Sequence, residues 1–192
     1  MELILQNIAR YIQLSSTEEK HFLSLLEQKN YKAKTIVLHS GDICEYSYFV
    51  SKGILRSYTI DTNCSEHVMS FACNNWWIAD MYSLLSQQPG TLTIEVNDDA
   101  DVLLLSKIKQ EQLYIDIPQF ERFFRIITEN ALVSNQQRIM DNLSLTAEAR
   151  YDKFCTKYPE LILNLPQKQI ASYIGVTPEF FSRMRTKMLK NK

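Results

Sequence analysis

The sequence predicts an α+β chain in three parts: an N-terminal antiparallel β-roll of jelly-roll type over residues 1–117, a long helix and hinge over 118–145, and a small helical domain over 146–192. Three observations predict it. Short strand-favouring runs divided by turn residues fill the first half; a stretch free of Gly and Pro, with an apolar stripe, follows Pro118; and the remainder is helical in texture, punctuated by Pro159, Pro166, Gly175 and Pro178.

With 192 residues, 45% of them hydrophobic, the chain can bury a core in one large domain or two small ones. Four glycines, five prolines and four scattered cysteines exclude a disordered, collagen-like or disulfide-stapled chain. Cys44, Cys64, Cys73 and Cys155 show no metal-ligand spacing, and Met1 to Arg10 has no basic region leading into an apolar run. No window approaches the roughly 18 consecutive apolar residues of a membrane span, so no membrane partner is expected and a reducing cytoplasm is the expected compartment.

Taken in order, Ser16 followed by Glu19 has the spacing of a capping box, and Phe22, Leu23, Leu25 and Leu26 supply an apolar face for a short helix ending near Gln28. Strands are predicted at Thr35 to Leu38, Ser47 to Val50, Ile54 to Ile60, His67 to Phe71, Thr91 to Val96 and Val102 to Leu105. Turns are predicted at Ser40 to Asp42, Lys52 and Gly53, Asp61 to Asn63, Asn74 and Asn75, Pro89 and Gly90, and Asn97 to Asp99. After Pro118, Phe120, Phe124, Ile127 and Ala131 form an a/d-like stripe on a helix of about six or seven turns, reaching about Asn142. Such a stripe packs either on the chain's own core or on a second copy. The dimer seam is the expectation, because a long helix between a β domain and a small basic domain leaves one face for a partner. Helices are then predicted at 147–158, 166–174 and from Pro178 to about Lys190.

A net charge of −1 hides an asymmetry: residues 1–145 hold 12 Lys/Arg and 18 Asp/Glu, net −6, while 146–192 hold 9 and 4, net +5. Lys168, Arg183, Arg185, Lys187, Lys190 and Lys192 face only Glu179 at the end of the chain. A basic end suits a polyanion.

The segment from Gln167 to Met188 is the most specific. Pro166 suits a first helical turn, Ile170, Ala171 and Ile174 make a buried face, and Gly175 supplies a positive φ. Val176 plugs the turn, Thr177 caps a second helix starting at Pro178, and Phe181 and Met184 face inward. The spacing is that of a helix-turn-helix. Its outer face carries Glu179, Phe180, Ser182, Arg183 and Lys187, so Arg183 is expected to donate to a guanine edge and Glu179 to accept from cytosine or orient Arg183. Lys168, Arg185, Lys187 and Lys190 suit phosphates, as do the amides near Gln167. The predicted DNA-contacting set is Gln167, Lys168, Thr177, Pro178, Glu179, Phe180, Ser182, Arg183 and Lys187.

The order of short helix, β-roll, long helix and helix-turn-helix resembles the Crp/Fnr family of bacterial transcription regulators, over nearly the whole chain. Gly41, Asp42 and the Gly53 that follows Tyr48 to Val50 look like that family's glycine-marked turns. Glu179 and Arg183 match its base-reading Glu and Arg, whereas Pro178 stands where many members have another Arg. The resemblance implies a cyclic-nucleotide-binding-like roll, a homodimer on near-palindromic double-stranded promoter DNA, RNA polymerase as a partner and a small-molecule effector of unidentified class. In family members that bind cyclic nucleotides, a Gly-Glu pair contacts the ribose and an Arg followed by Ser or Thr holds the phosphate. Here Ala79 and Asp80 replace the first pair, Gly90 and Thr91 the second, and no Lys or Arg occurs from Met81 to Val96. Cyclic AMP is therefore not expected, nor any other cofactor. Trp77, Asp80, Met81, Gly90 and Thr91 mark the expected effector pocket, with Trp76 and Trp77 able to stack on a flat ligand.

Iron-sulfur members share an N-terminal cysteine cluster, which this chain lacks before Cys44, and Cys44, Cys64 and Cys73 read as buried structural thiols. His21, His39 and His67 are unclustered, so no metal is expected. No nucleophile elbow, phosphate-cradling loop or metal-binding His/Glu motif is present, and the chain is not expected to be an enzyme. The alternative reading is a ligand-sensing or protein-interaction module with a degenerate DNA-binding domain.

Overall fold

The computed structural model describes residues 1–190, so Lys192 of the basic run lies outside the described residues. They divide into two units, residues 1–59 with 70–130, and residues 60–69 with 131–190.

Strand-favouring sequence forms an antiparallel sheet of six strands: β1 (Glu27–Tyr31), β2 (Ile36–Leu38), β3 (Tyr46–Ile60), β4 (Glu66–Ala72), β5 (Trp76–Ile78) and β6 (Thr93–Ser106). The order is β1-β6-β3-β4, with β2 also paired to β6 and β5 to β3. Two predicted turns are not turns. Lys52 and Gly53 lie inside the 15-residue β3, and Asn97 to Asp99 lie inside the 14-residue β6. These segments face one another, where the register of the β3–β6 pairing shifts between Val50 and Leu55. Turn-forming residues here make an irregularity that bends two long strands without ending them. Gly53 requires its identity twice over: its φ is +92°, and a Cβ would lie 2.5 Å from the Asp99 carbonyl oxygen.

Alternation along β3 and β6 builds two cores. Tyr48, Val50, Leu55, Val96, Val102 and Leu104 point into the roll with Leu38, Ile78 and Leu84. Phe49, Leu103 and Leu105 point the other way, onto helices α1 (Glu2–Ala9), α2 (Ser16–Ser24), α4 (Lys107–Asp116) and the start of α5 (Gln119–Ser144). The capping box of α2 is Ser15 with Glu18, one residue earlier than predicted, and the helix stops at Ser24 because Glu27–Tyr31 pairs with β6.

The helix after Pro118 is present, 26 residues and about 39 Å long. Its predicted dimer stripe is corrected. Phe120 (0% exposed) and Phe124 (8%) sit in the second core, Phe120 stacked 4.8 Å from Phe22, and Ile127 packs against the same cluster. Only Ala131 of the stripe is exposed. Burial of each phenylalanine contributes about 2–3 kcal/mol to the unit's own fold, which is why this face is not left for a partner.

The second unit comprises the β3–β4 tip, the end of α5, α6 (Ala147–Lys157), α7 (Gln167–Ile174) and α8 (Pro178–Lys190). Phe154, Tyr158, Leu161, Ile170, Ala171, Ile174, Phe181 and Met184 are buried in it. The Phe154, Tyr158 and Tyr173 rings lie 5.2–5.8 Å apart, and Tyr151 meets Phe181 edge-on at 5.2 Å. The tip is tied to α7 and α5 through its backbone. Val68 N–H donates to Ser172 Oγ (2.8 Å), Ser172 Oγ donates to the Glu66 carbonyl (2.7 Å), and Arg138 Nη1 donates to the Val68 carbonyl (3.3 Å).

Candidate nucleic-acid interface and roll cassette

The α7–α8 pair is built by local signals. Gly175 has φ +74°, its N–H reaches the Ser172 carbonyl (3.1 Å) and Val176 N–H reaches that of Ala171 (3.0 Å), so two of the last four carbonyls of α7 are satisfied across the turn. A Cβ at 175 would meet nothing closer than Asn142 Oδ1 at 3.7 Å. The conformation, and not crowding, selects glycine. Thr177 then caps α8, its Oγ1 accepting from Phe180 N–H (3.2 Å), with Pro178 as the first helical residue.

Phe181 and Met184 turn inward, so α8 presents Glu179, Ser182, Arg183, Thr186, Lys187 and Lys190 on its exposed side. Pro178, Glu179, Ser182 and Arg183 line one open depression. Phe180 is 42% exposed beside them, and Gln167 and Lys168 are exposed at the start of α7. Thr177 is engaged as the cap. Arg185 stands apart from the other expected phosphate-facing cations: it is half-buried, 5.9 Å over the Phe181 ring. Two residues that sequence reasoning missed stand out. Thr186 shares the exposed face one turn beyond Ser182, where spacing alone would have found it. Ser172 carried no local signal, because its partners are about a hundred residues distant.

The expected effector residues separate. Trp77 packs inside the first unit, its ring 5.2 Å from that of Phe49 and 5.5 Å from that of Phe124, with Nε1 donating to Asn7 Oδ1 (3.4 Å). It is a core residue and not a stacking platform. Met81 and Thr91 face solvent. Asp80 and Gly90 do come together. Asp80 is 2% exposed and caps the short helix α3 (Met81–Ser86), Oδ1 accepting from Ser83 N–H (3.2 Å) and Oδ2 from Leu92 N–H (3.3 Å). Ser83 Oγ accepts from Cys44 N–H (2.8 Å) and donates to the Gln88 carbonyl (2.6 Å). Arg56, buried on β3, is paired with Glu95 on β6 through Nε (3.1 Å) and Nη2. A buried carboxylate at this position and a cation committed elsewhere do not fit a cyclic phosphate.

Burial pushes the Cys44 thiol up, which suppresses the reactive thiolate. Cys64 is exposed at φ +60° in the tip, contrary to its expected burial, and Cys73 is half-buried. Among the described residues no group of three His, Cys, Asp or Glu side chains could hold a metal, and no helix is long and apolar enough to cross a membrane.

The family description "Cyclic nucleotide-binding domain" matches residues 28–116. No curated protein matches the chain in sequence. Among solved structures the chain is similar to the c-di-GMP-responsive global regulator CLP of Xanthomonas campestris: 14% identity over 92% of this chain and 93% of that one, with a TM-score of 0.75. It is similar to FixK2 of Bradyrhizobium japonicum at 20% identity, over 86% and 85%, with a TM-score of 0.76. It is likewise similar to a Eubacterium rectale protein assigned to the crp/fnr family of transcriptional regulators, at 17% identity over 92% and 85%, with a TM-score of 0.70. A cyclic nucleotide-binding-type β-roll followed by a long helix and a small helical domain gives this chain the fold of the Crp/Fnr transcription regulators.

Proposed function

We propose that the chain is a sequence-specific DNA-binding transcription regulator of the Crp/Fnr type that acts as a homodimer. The observation that carries this reading is α8 itself. Its inner face is anchored by Phe181 and Met184, while Arg183, Lys187 and Lys190 stand exposed on the outer one with Glu179 and Ser182. In the major groove, Arg183 donates in bidentate fashion to guanine, Glu179 accepts from cytosine N4, and Lys168 and Lys187 engage phosphates with the amides at the start of α7.

The dimer seam lies further along α5 than the sequence stripe. Leu132, Gln136, Ile139 and Leu143 follow the 4-3-4 spacing of a coiled-coil seam, flanked by Val133 and Met140. Leu132 and Ile139 are 57% and 58% exposed and Leu143 is 84% exposed, which is costly for so many large apolar side chains on one helix unless a second copy covers them. A homodimer sets two α8 helices into successive major grooves about 34 Å apart on a near-palindromic site. RNA polymerase is then the partner through which bound protein alters transcription.

Fluorescence anisotropy with promoter duplexes from the source genome tests this reading. Binding is expected to weaken steeply and log-linearly with salt, since each neutralised phosphate releases counterion. A chain indifferent to duplex DNA at low salt is instead the interaction module with a degenerate DNA-binding domain.

A further inference from the structure

The cassette between β5 and β6 is filled by the protein's own carboxylate. Asp80 puts one oxygen on the Ser83 amide and the other on the Leu92 amide, and it is 2% exposed. Gly90 closes the same corner: its N–H donates to the Asp42 carbonyl (3.0 Å) and its own carbonyl accepts from Gly41 N–H (2.8 Å). A Cβ built at 90 would fall well inside the van der Waals radius of Asp80 Oδ2 and 3.0 Å from Ser83 Cβ. The carboxylate and the missing side chain are therefore a matched pair. Asp80 occupies the volume that any residue but glycine at 90 would need.

We infer that Asp80 is the resident anion of this cassette, so that the roll is locked in its folded form without a cyclic mono- or dinucleotide. A ligand phosphate entering here meets two obstacles. It must displace a buried carboxylate from two amide donors, and it must share the site with a like charge in a segment, Met81 to Val96, that contributes no Lys or Arg. Arg56 does not relieve this, being held by Glu95 across the β3–β6 pair. The inference rests on the geometry of the roll and on its match to the cyclic nucleotide-binding domain, not on the DNA-binding reading.

Calorimetric titration and thermal unfolding of the full chain with cyclic AMP, cyclic GMP and cyclic di-GMP test it, alongside a double-mutant cycle of Asp80→Ala and Gly90→Ala. No saturable heat and no shift in Tm are expected with any of the three nucleotides. Gly90→Ala is expected to lower Tm in the wild-type background and to lower it much less in the Asp80→Ala background; Asp80→Ser, which keeps a hydroxyl acceptor for the Ser83 amide while vacating the volume beside Gly90, replaces Asp80→Ala if that variant does not fold. Saturable binding of any of the nucleotides to the wild-type chain overturns the inference. An equal Tm loss for Gly90→Ala in both backgrounds also overturns it, because the pair would then be uncoupled.

Discussion

The Ser172 hydroxyl and the Val68 amide meet at 2.8 Å, and the same hydroxyl donates to the Glu66 carbonyl at 2.7 Å, so one side chain on α7 satisfies both a donor and an acceptor of β4. A backbone N–H and C=O that lose this partner in a part-buried site are costly to leave unmade. Ser172→Ala is expected to destabilise the second unit by about 1–3 kcal/mol in urea titrations. Amide exchange at Val68 should accelerate in the same variant.

Gly175 and Gly53 are expected to respond differently to alanine. At 175 the φ of +74° is the only obstacle, since nothing lies within 3.4 Å of a new Cβ, and the cost should be about 1 kcal/mol, lower still for Asn. At 53 the new Cβ meets the Asp99 and Ala100 backbone at 2.5 and 2.8 Å as well as a φ of +92°, and the cost should be about 3 kcal/mol or more. Urea midpoints of the two variants check the ranking.

The turn between α7 and α8 is legible in the sequence, because Gly175, Thr177 and Pro178 act within a few residues of themselves, whereas Pro166, expected in the first turn of α7, is its N-cap and the helix starts at Gln167. The roll was legible as a class but not in its connections. Gly53 and Asn97 to Asp99 have the composition of turns, and only the pairing of β3 with β6 makes them an irregularity inside long strands. The polar β1, Glu-Gln-Lys-Asn-Tyr, carries no strand pattern and exists because β6 offers it an edge. Ser15 with Glu18 and Ser16 with Glu19 both satisfy the capping spacing, so sequence alone cannot choose between them. The Phe120, Phe124 and Ile127 stripe reveals a face of the helix without revealing what covers it, and the same holds for Trp77, whose ring packs on that core instead of standing open to a ligand.

That distinction makes a prediction about α5. Phe120→Ala is expected to cost about 3–5 kcal/mol of stability through cavity formation in the first unit. Ile139→Glu with Leu143→Glu should leave the unfolding midpoint of the first unit unchanged and convert a dimer to a monomer in sedimentation equilibrium.

Acid sensitivity follows from carboxylates held below their ordinary range, Glu18, Asp61 and Asp116 among them, and two illustrate the cause. Lys32 and the Ala33 amide hold Asp99 below its ordinary value, and Lys153 and Gln137 do the same for Asp141. Because the unfolded chain takes up these protons first as pH falls, the stability they provide is complete above the ordinary carboxylate range and is lost as pH drops through the depressed folded values. Urea midpoints should therefore hold steady down to about pH 5 and decline below about pH 4. Asp99→Asn with Asp141→Asn should make that decline shallower, the remainder coming from Glu18, Asp61 and Asp116.

The proposed regulator works only if α8 reads duplex DNA as one of a pair. Selection of bound sequences from a random duplex pool, followed by footprinting, tests this directly for the wild-type chain and for Arg183→Ala. Two inverted half-sites with centres about 10 base pairs apart are expected, with a loss of about 1–3 kcal/mol and one relaxed guanine preference per half-site in the variant. A pool that yields no shared sequence, or an identical motif and affinity for Arg183→Ala, would contradict paired reading by α8.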